Sequence, residues 1–162
     1  MWFGPYEDSD FFNLETCAVF ASFSPQPKIA EFVCWHKNKI VVVEAKSSTP
    51  KYENKADFNS FTSSVSEKLL NGFLLSSAIA TKRHSQCHIS LPAALQKGVV
   101  GGAFVNLILI IRDHKSDWLQ PLADAIKKDV KIRCQLIGVS TSAVLVLNDR
   151  LALKHGLCQS PP

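Results

Sequence analysis

The chain has 162 residues, 46% of them hydrophobic and 20% charged, a length that supports one folded domain with a sizeable core and a composition that excludes a wholly disordered chain. A formal charge of +4 and a pI near 8.8 suit a polyanionic partner without requiring one. The longest apolar run, Val99 to Ile111, is broken by Asn106 and is too short to span a bilayer.

No basic start followed by an apolar stretch marks a secretory leader. Five scattered cysteines, Cys17, Cys34, Cys87, Cys134 and Cys158, do not make a disulfide framework. The expectation is therefore one cytoplasmic domain over 1–162, with reduced thiols, no membrane contact and a frayed tail over 159–162.

At the N-terminus Trp2, Phe3 and Tyr6 read as exposed aromatics, followed by the acids Glu7, Asp8 and Asp10. Ser9 or Asp8 would cap a helix running from Asp10 to Ala21, with Phe11, Leu14 and Val19 facing inward and Glu15 on its surface. After Ser24-Pro25-Gln26-Pro27 come two β-rich runs, Ile29 to Trp35 and Lys39 to Ser47. The polar residues from His36 to Lys39 between them complete a hairpin pattern.

The second run, KIVVVEAK, carries the chemistry. Side chains alternate across a strand, so Glu44 and Lys46 project from one face while Val43 and Ala45 project from the other. Counting outward from a turn centred between Lys37 and Asn38 sets Glu31 opposite Glu44. Two carboxylates in that relation repel unless a cation or a proton lies between them. A carboxylate can hold a hard divalent cation, and an ammonium beside it can steady an anionic phosphorus centre. The plainer alternative is an ion pair on a solvated face, and a slip of one residue in register would turn Glu31 to the opposite side.

A long helix follows from Asp57 to Thr81, with Phe58, Phe61, Val65, Leu69 and Phe73 as its core stripe. Lys68 lies at the edge of that stripe, either leaning over the strand ends or running out to solvent. Lys82, Arg83 and His84 form a small basic patch, and Gly98, Gly101 and Gly102 mark a flexible approach to the next strand. Ala103 to Arg112 is apolar enough for a central strand covered on both faces. Trp118 to Lys128 reads as a second helix with Trp118, Leu119, Leu122 and Ile126 on one side. Val130 to Gly138 and Ser142 to Leu147 read as further strands, and Asp149 to His155 as a short last helix.

Two other groupings are weaker. His84, Cys87 and His88 hint at zinc spacing but lack the remaining ligands of a structural site. Cys34 and His36 share a strand face, yet no third group orients them for nucleophilic work.

The order helix, hairpin ending in E-x-K, long helix, buried strand resembles the core of the PD-(D/E)XK nuclease superfamily, over roughly Asp10 to Arg112. The resemblance implies an α/β protein with a restriction-endonuclease-like core, a mixed central sheet flanked by helices in α-β-β-α-β order, with an added C-terminal helix and strands. It also implies Mg2+- or Mn2+-dependent hydrolysis of nucleic-acid phosphodiesters, DNA before RNA, in a defence or repair setting.

By position, Glu31 and Glu44 would hold the metal and Lys46 would orient water or stabilise developing charge. Glu15 matches the acid that many members carry on the first helix, and Lys68 a basic or amide residue on the second. Glu31 stands where the superfamily usually has aspartate, and no Pro-Asp pair precedes it. With little surface for wrapping a duplex, a homodimer or a larger protein partner is expected. The alternative is an inactive module that keeps the fold for nucleic-acid binding or protein assembly.

Overall fold

The computed structural model describes residues 2–4, 6–84 and 88–159. In chain order its elements are β1 (Trp2–Phe3), β2 (Phe11–Asn13), the single turn α1 (Ala18–Ala21), β3 (Phe32–His36), β4 (Lys39–Lys46), α2 (Lys55–Ala80), α3 (Ala93–Val100), β5 (Val105–Ile111), α4 (Leu119–Leu136), β6 (Val144–Asn148), α5 (Asp149–His155) and β7 (Cys158–Gln159). Strands β2 to β6 make one mixed sheet in the order β2-β3-β4-β5-β6, and β1 pairs with β7 in a separate ribbon. The first three strands of the sheet are antiparallel, whereas β4, β5 and β6 run parallel. Parallel neighbours need a long crossover, which α2 with α3 supplies between β4 and β5, and α4 between β5 and β6.

The hairpin turns at Lys37 and Asn38, whose φ values of 49° and 59° are left-handed at both central positions. That backbone matches the right-handed twist of the flanking strands. Phe32 pairs with Val43 and His36 with Lys39, the register obtained by counting from the turn. The ladder ends with Phe32 opposite Val43, and the Glu31 N–H donates to the Val43 carbonyl at 3.1 Å, one residue off that register, so the expected pairing of Glu31 with Glu44 is not part of the ladder.

Alternation along the strands builds two cores. Ile40, Val42, Leu107 and Leu109 pack with Val65, Leu69, Ile126 and Val130 of the helical layer. Phe32, Val41, Val43, Ile108 and Ile110 meet Ala152, Leu157 and Cys158 on the opposite side. The middle strand β5 is thus buried on both faces, as its continuous apolar run predicts. Among the described residues no helix is long and apolar enough to cross a membrane.

Several sequence expectations are corrected. The helix expected from Asp10 to Ala21 exists only as α1; Phe11–Asn13 pairs with β3 as an edge strand, and Asn13 Oδ1 ends it by accepting from the Thr16 N–H at 3.0 Å. Glu15 therefore sits on an exposed turn, not on a helix. Phe3 and Tyr6 are not free aromatics: both rings pack against Phe32, and the Tyr6 hydroxyl donates to the Leu157 carbonyl at 2.6 Å.

Val130 to Gly138 is no strand, because the four-residue spacing of Leu122, Ile126, Val130 and Cys134 continues α4 and buries all four. The alternation of Val130, Ile132, Cys134 and Leu136 imitates a strand, and in the helix it leaves Ile132 64% and Leu136 80% exposed. Trp118, expected inward, is 51% exposed in a 3-10 turn before α4. The stretch expected to be a flexible approach contains α3, where a Cβ on Gly98 would lie 2.2 Å from the Trp35 ring. Gln159 is paired in β7; the remainder of the expected frayed tail, and Cys87 of the zinc spacing, lie outside the described residues.

Candidate functional site

The face of β4 that carries Ile40 and Val42 ends in Glu44 and Lys46, and α2 lies directly over it. A glycine in the middle of α2 makes this possible. A Cβ on Gly72 would lie 2.9 Å from Val42 Cγ1, 3.0 Å from Ala30 Cβ and 3.1 Å from Leu14 Cδ1, so only glycine lets helix and sheet approach this closely. The Ala30 N–H donates to the Lys68 carbonyl at 3.1 Å, one helical turn before Gly72. Close approach turns the Lys68 side chain onto the sheet.

There Lys68 Nζ donates to Glu44 Oε1 at 2.8 Å, and Lys46 Nζ lies 2.5 Å from the same oxygen. Glu44 is fully buried, while the two lysine side chains keep 20% and 33% of their surface. Its other oxygen, Oε2, is buried with no hydrogen-bond partner among the described residues. Leaving a buried carboxylate oxygen unpaired costs free energy that a well-packed fold normally avoids.

Glu31 completes the group. Burial pushes its carboxyl above the ordinary range, the charges of Glu44 and Glu15 push it further, and Lys46 and a hydrogen bond from the Ala45 backbone oppose them. For the Lys68 ammonium, burial acts to lower the pKa. The hydrogen bond to Glu44, the Glu44 charge and the Glu15 charge outweigh it, and the net shift is upward. The five residues singled out in the sequence, Glu15, Glu31, Glu44, Lys46 and Lys68, thus fall into one electrostatic cluster, with Glu15 at its exposed rim.

The shift at Glu31 gives a stability prediction. A carboxyl whose folded pKa is raised binds its proton more tightly folded than unfolded, so stability falls as pH rises from the ordinary value of 4.5 through the folded one. Below that window both states are protonated and the effect is absent. Glu31→Gln is therefore expected to raise the thermal midpoint near about pH 7 and to leave it unchanged near about pH 4. A lower midpoint at neutral pH would contradict it.

The residues fit a hard divalent cation. Mg2+ is commonly held by only one or two carboxylates, with water and substrate oxygens filling its other positions. Glu31 and Glu44 Oε2 supply that minimum. Among the described residues no group of three or more His, Cys, Asp or Glu side chains is arranged to hold a metal; a cation here would be held by these two acids alone.

Cys34 does not compete as a nucleophile. It is fully buried; burial pushes its thiol up to about 12, with the charge of Asp10 adding to the shift. His36 points its Nε2 at the His155 carbonyl, 2.9 Å away.

Gly72 is the site residue that sequence reasoning passes over. Its signal was available, a glycine inside a long helix where its propensity is poor, but only the packing shows what it permits. The chain matches no protein-family model, no curated protein and no solved structure, which leaves the geometry around Glu44 as the ground for function.

Proposed function

We propose that this chain is a metal-dependent hydrolase of nucleic-acid phosphodiesters, DNA foremost, built on a restriction-endonuclease-like form of the α/β fold. The observation that carries the reading is the buried, unpartnered Oε2 of Glu44 beside the charge-coupled carboxyl of Glu31. Mg2+ or Mn2+, when bound, would activate water and neutralise charge on the phosphate.

The chain's own residues have distinct tasks. Glu31 and Glu44 hold the cation. Lys46, a third exposed, faces incoming phosphate and offsets developing negative charge. Lys68 is a positioning residue: its bond to Oε1 leaves Oε2 as the free lone pair. Glu15 adds negative charge at the rim. The hairpin ending in E-x-K, followed by the long helix and buried strand, supports the superfamily reading. Glu15 departs from the pattern by standing on a turn. A second copy or a larger protein would supply the surface needed to hold a long polyanion.

One observation favours the alternative, an assembly or nucleic-acid-binding module without chemistry. Lys46 and Lys68 together already neutralise Glu44 Oε1. Titration calorimetry with Mn2+ separates the readings. A saturable heat that Glu31→Ala removes, together with Mn2+-dependent cutting of DNA, is the expected result. A wild-type chain that takes up no Mn2+ and cuts no nucleic acid overturns it.

A further inference from the structure

Past the carboxyl ends of β4 and β5 lies a cleft of about 600 Å3, lined by Thr49, Tyr52, Phe58, His114, Trp118 and Leu122 among others. Ligands of open α/β sheets collect at this edge, and the volume falls in the range of small-ligand sites. Thr49 is only three residues beyond Lys46, so the cleft begins within about 10 Å of it.

Its walls are aromatic and half open. Tyr52 is 54% and Trp118 51% exposed, and each ring is braced edge-on by a neighbour, Tyr52 by Phe58 at 5.0 Å and Trp118 by His114 at 5.6 Å. Each also carries a cation: Lys55 Nζ is 3.1 Å from the Tyr52 ring centroid and Lys115 Nζ 5.1 Å from that of Trp118. Of the charged side chains in the lining, Lys51 and Glu53 offset one another, and Lys55 and Lys115 place their cations at the two rings. Rings that stack paired with cations that meet phosphate are the combination used for unpaired nucleic acid. His114, also in the lining, keeps its Nε2 buried without a hydrogen-bond partner among the described residues.

We propose that this cleft accepts one unpaired nucleobase, stacked on Tyr52 and Trp118, with the phosphate of the same strand directed toward Lys46. A base inside a duplex already gives its faces to its neighbours, so the favoured substrate is a single strand or an unpaired end. The inference rests on the nucleic-acid reading of the Glu44 site and adds the form of its substrate.

The test is a fluorescence titration of the full chain with an oligothymidylate and with a duplex of equal length, in EDTA so that nothing is cut. The single strand is expected to quench tryptophan emission and the duplex to bind at least about ten-fold more weakly. Trp118→Leu should remove the quench, and Tyr52→Ala should weaken binding roughly ten-fold, as loss of one stacking partner does. Both side chains are half exposed, and unchanged thermal midpoints show that the variants still fold. Equal affinity for strand and duplex, or a Tyr52→Ala/Trp118→Leu double variant that binds the single strand like wild type, overturns the proposal. Calorimetry with Mn2+ on the same protein variants, dialysed free of EDTA and without nucleic acid, keeps the two readings apart. Metal binding without base-dependent quenching removes the cleft proposal alone. Quenching without metal binding removes the hydrolase and leaves the cleft.

Discussion

Glu44→Ala is expected to eliminate both the Mn2+ heat and phosphodiester cleavage while leaving the protein folded. The two effects separate for a physical reason. Removing one partner of a buried ion pair is usually costly because the other charge stays buried and alone. Here the two partners are Lys46 and Lys68, whose side chains keep 33% and 20% of their surface, so both ammoniums can turn toward water. The unpaired Oε2 disappears with the same substitution, and its desolvation cost goes with it. The net change in stability should stay within about 2 kcal/mol, against complete loss of the carboxylate proposed to anchor the cation.

Lys46→Ala should behave differently, keeping the metal heat and slowing cleavage by about 10²- to 10³-fold, the scale seen when one stabilising donor is removed from a developing charge. If Glu44→Ala instead retains wild-type Mn2+ affinity, the cation does not bind at this carboxylate.

The second large effect is expected at Gly72. Ala30, Val42 and Leu14 leave no room for a side chain, since even a single added carbon would sit 2.9 to 3.1 Å from them. Gly72→Leu has to lift α2 off the sheet, at a cost of about 1–3 kcal/mol or more for an overpacked core. The lift also draws Lys68 away from Glu44. Urea unfolding should show the stability loss, and cleavage should fall by more than the fraction unfolded explains.

Gly72→Ala is a graded comparison. It gains up to about 1 kcal/mol of helix propensity, but its Cβ would lie 2.9 Å from Val42 Cγ1 and force a shift, so its midpoint should fall, by less than that of Gly72→Leu. Lys68→Met completes the set. It keeps the helix seated, removes only the bond to Oε1, and should impair cleavage without the loss of stability. A Gly72→Leu protein as stable and active as wild type would show that close helix–sheet approach does not organise the site.

Much of this arrangement was legible in the residues because it depends on short-range rules. Lys37 and Asn38 accept left-handed backbone, which centres the hairpin and sets its register. The register counted from the turn holds as far as Phe32 against Val43, and strand alternation places Glu44 and Lys46 on one face. The apolar stripe of α2 and the continuous apolar run of β5 each identified their element. Errors came where two periods overlap or where a partner strand decides. Val130 to Leu136 alternates like a strand, and only the continued four-residue stripe from Leu122 makes it helical. Phe11 to Asn13 has helix-compatible neighbours, but β3 offers it an edge to pair with.

The sequence by itself determined the hairpin register from His36 against Lys39 to Phe32 against Val43 and the shared face of Glu44 and Lys46, since a turn's backbone preference and the two-residue repeat of a strand are local properties. Tertiary structure alone decided that Glu44 is buried with one oxygen left without a hydrogen-bond partner among the described residues, that Lys68 turns inward, and that Tyr52 and Trp118 line a common cleft. Those outcomes depend on how closely α2 and α4 settle on the sheet, a distance governed by contacts such as Gly72 against Val42 between residues far apart in the chain.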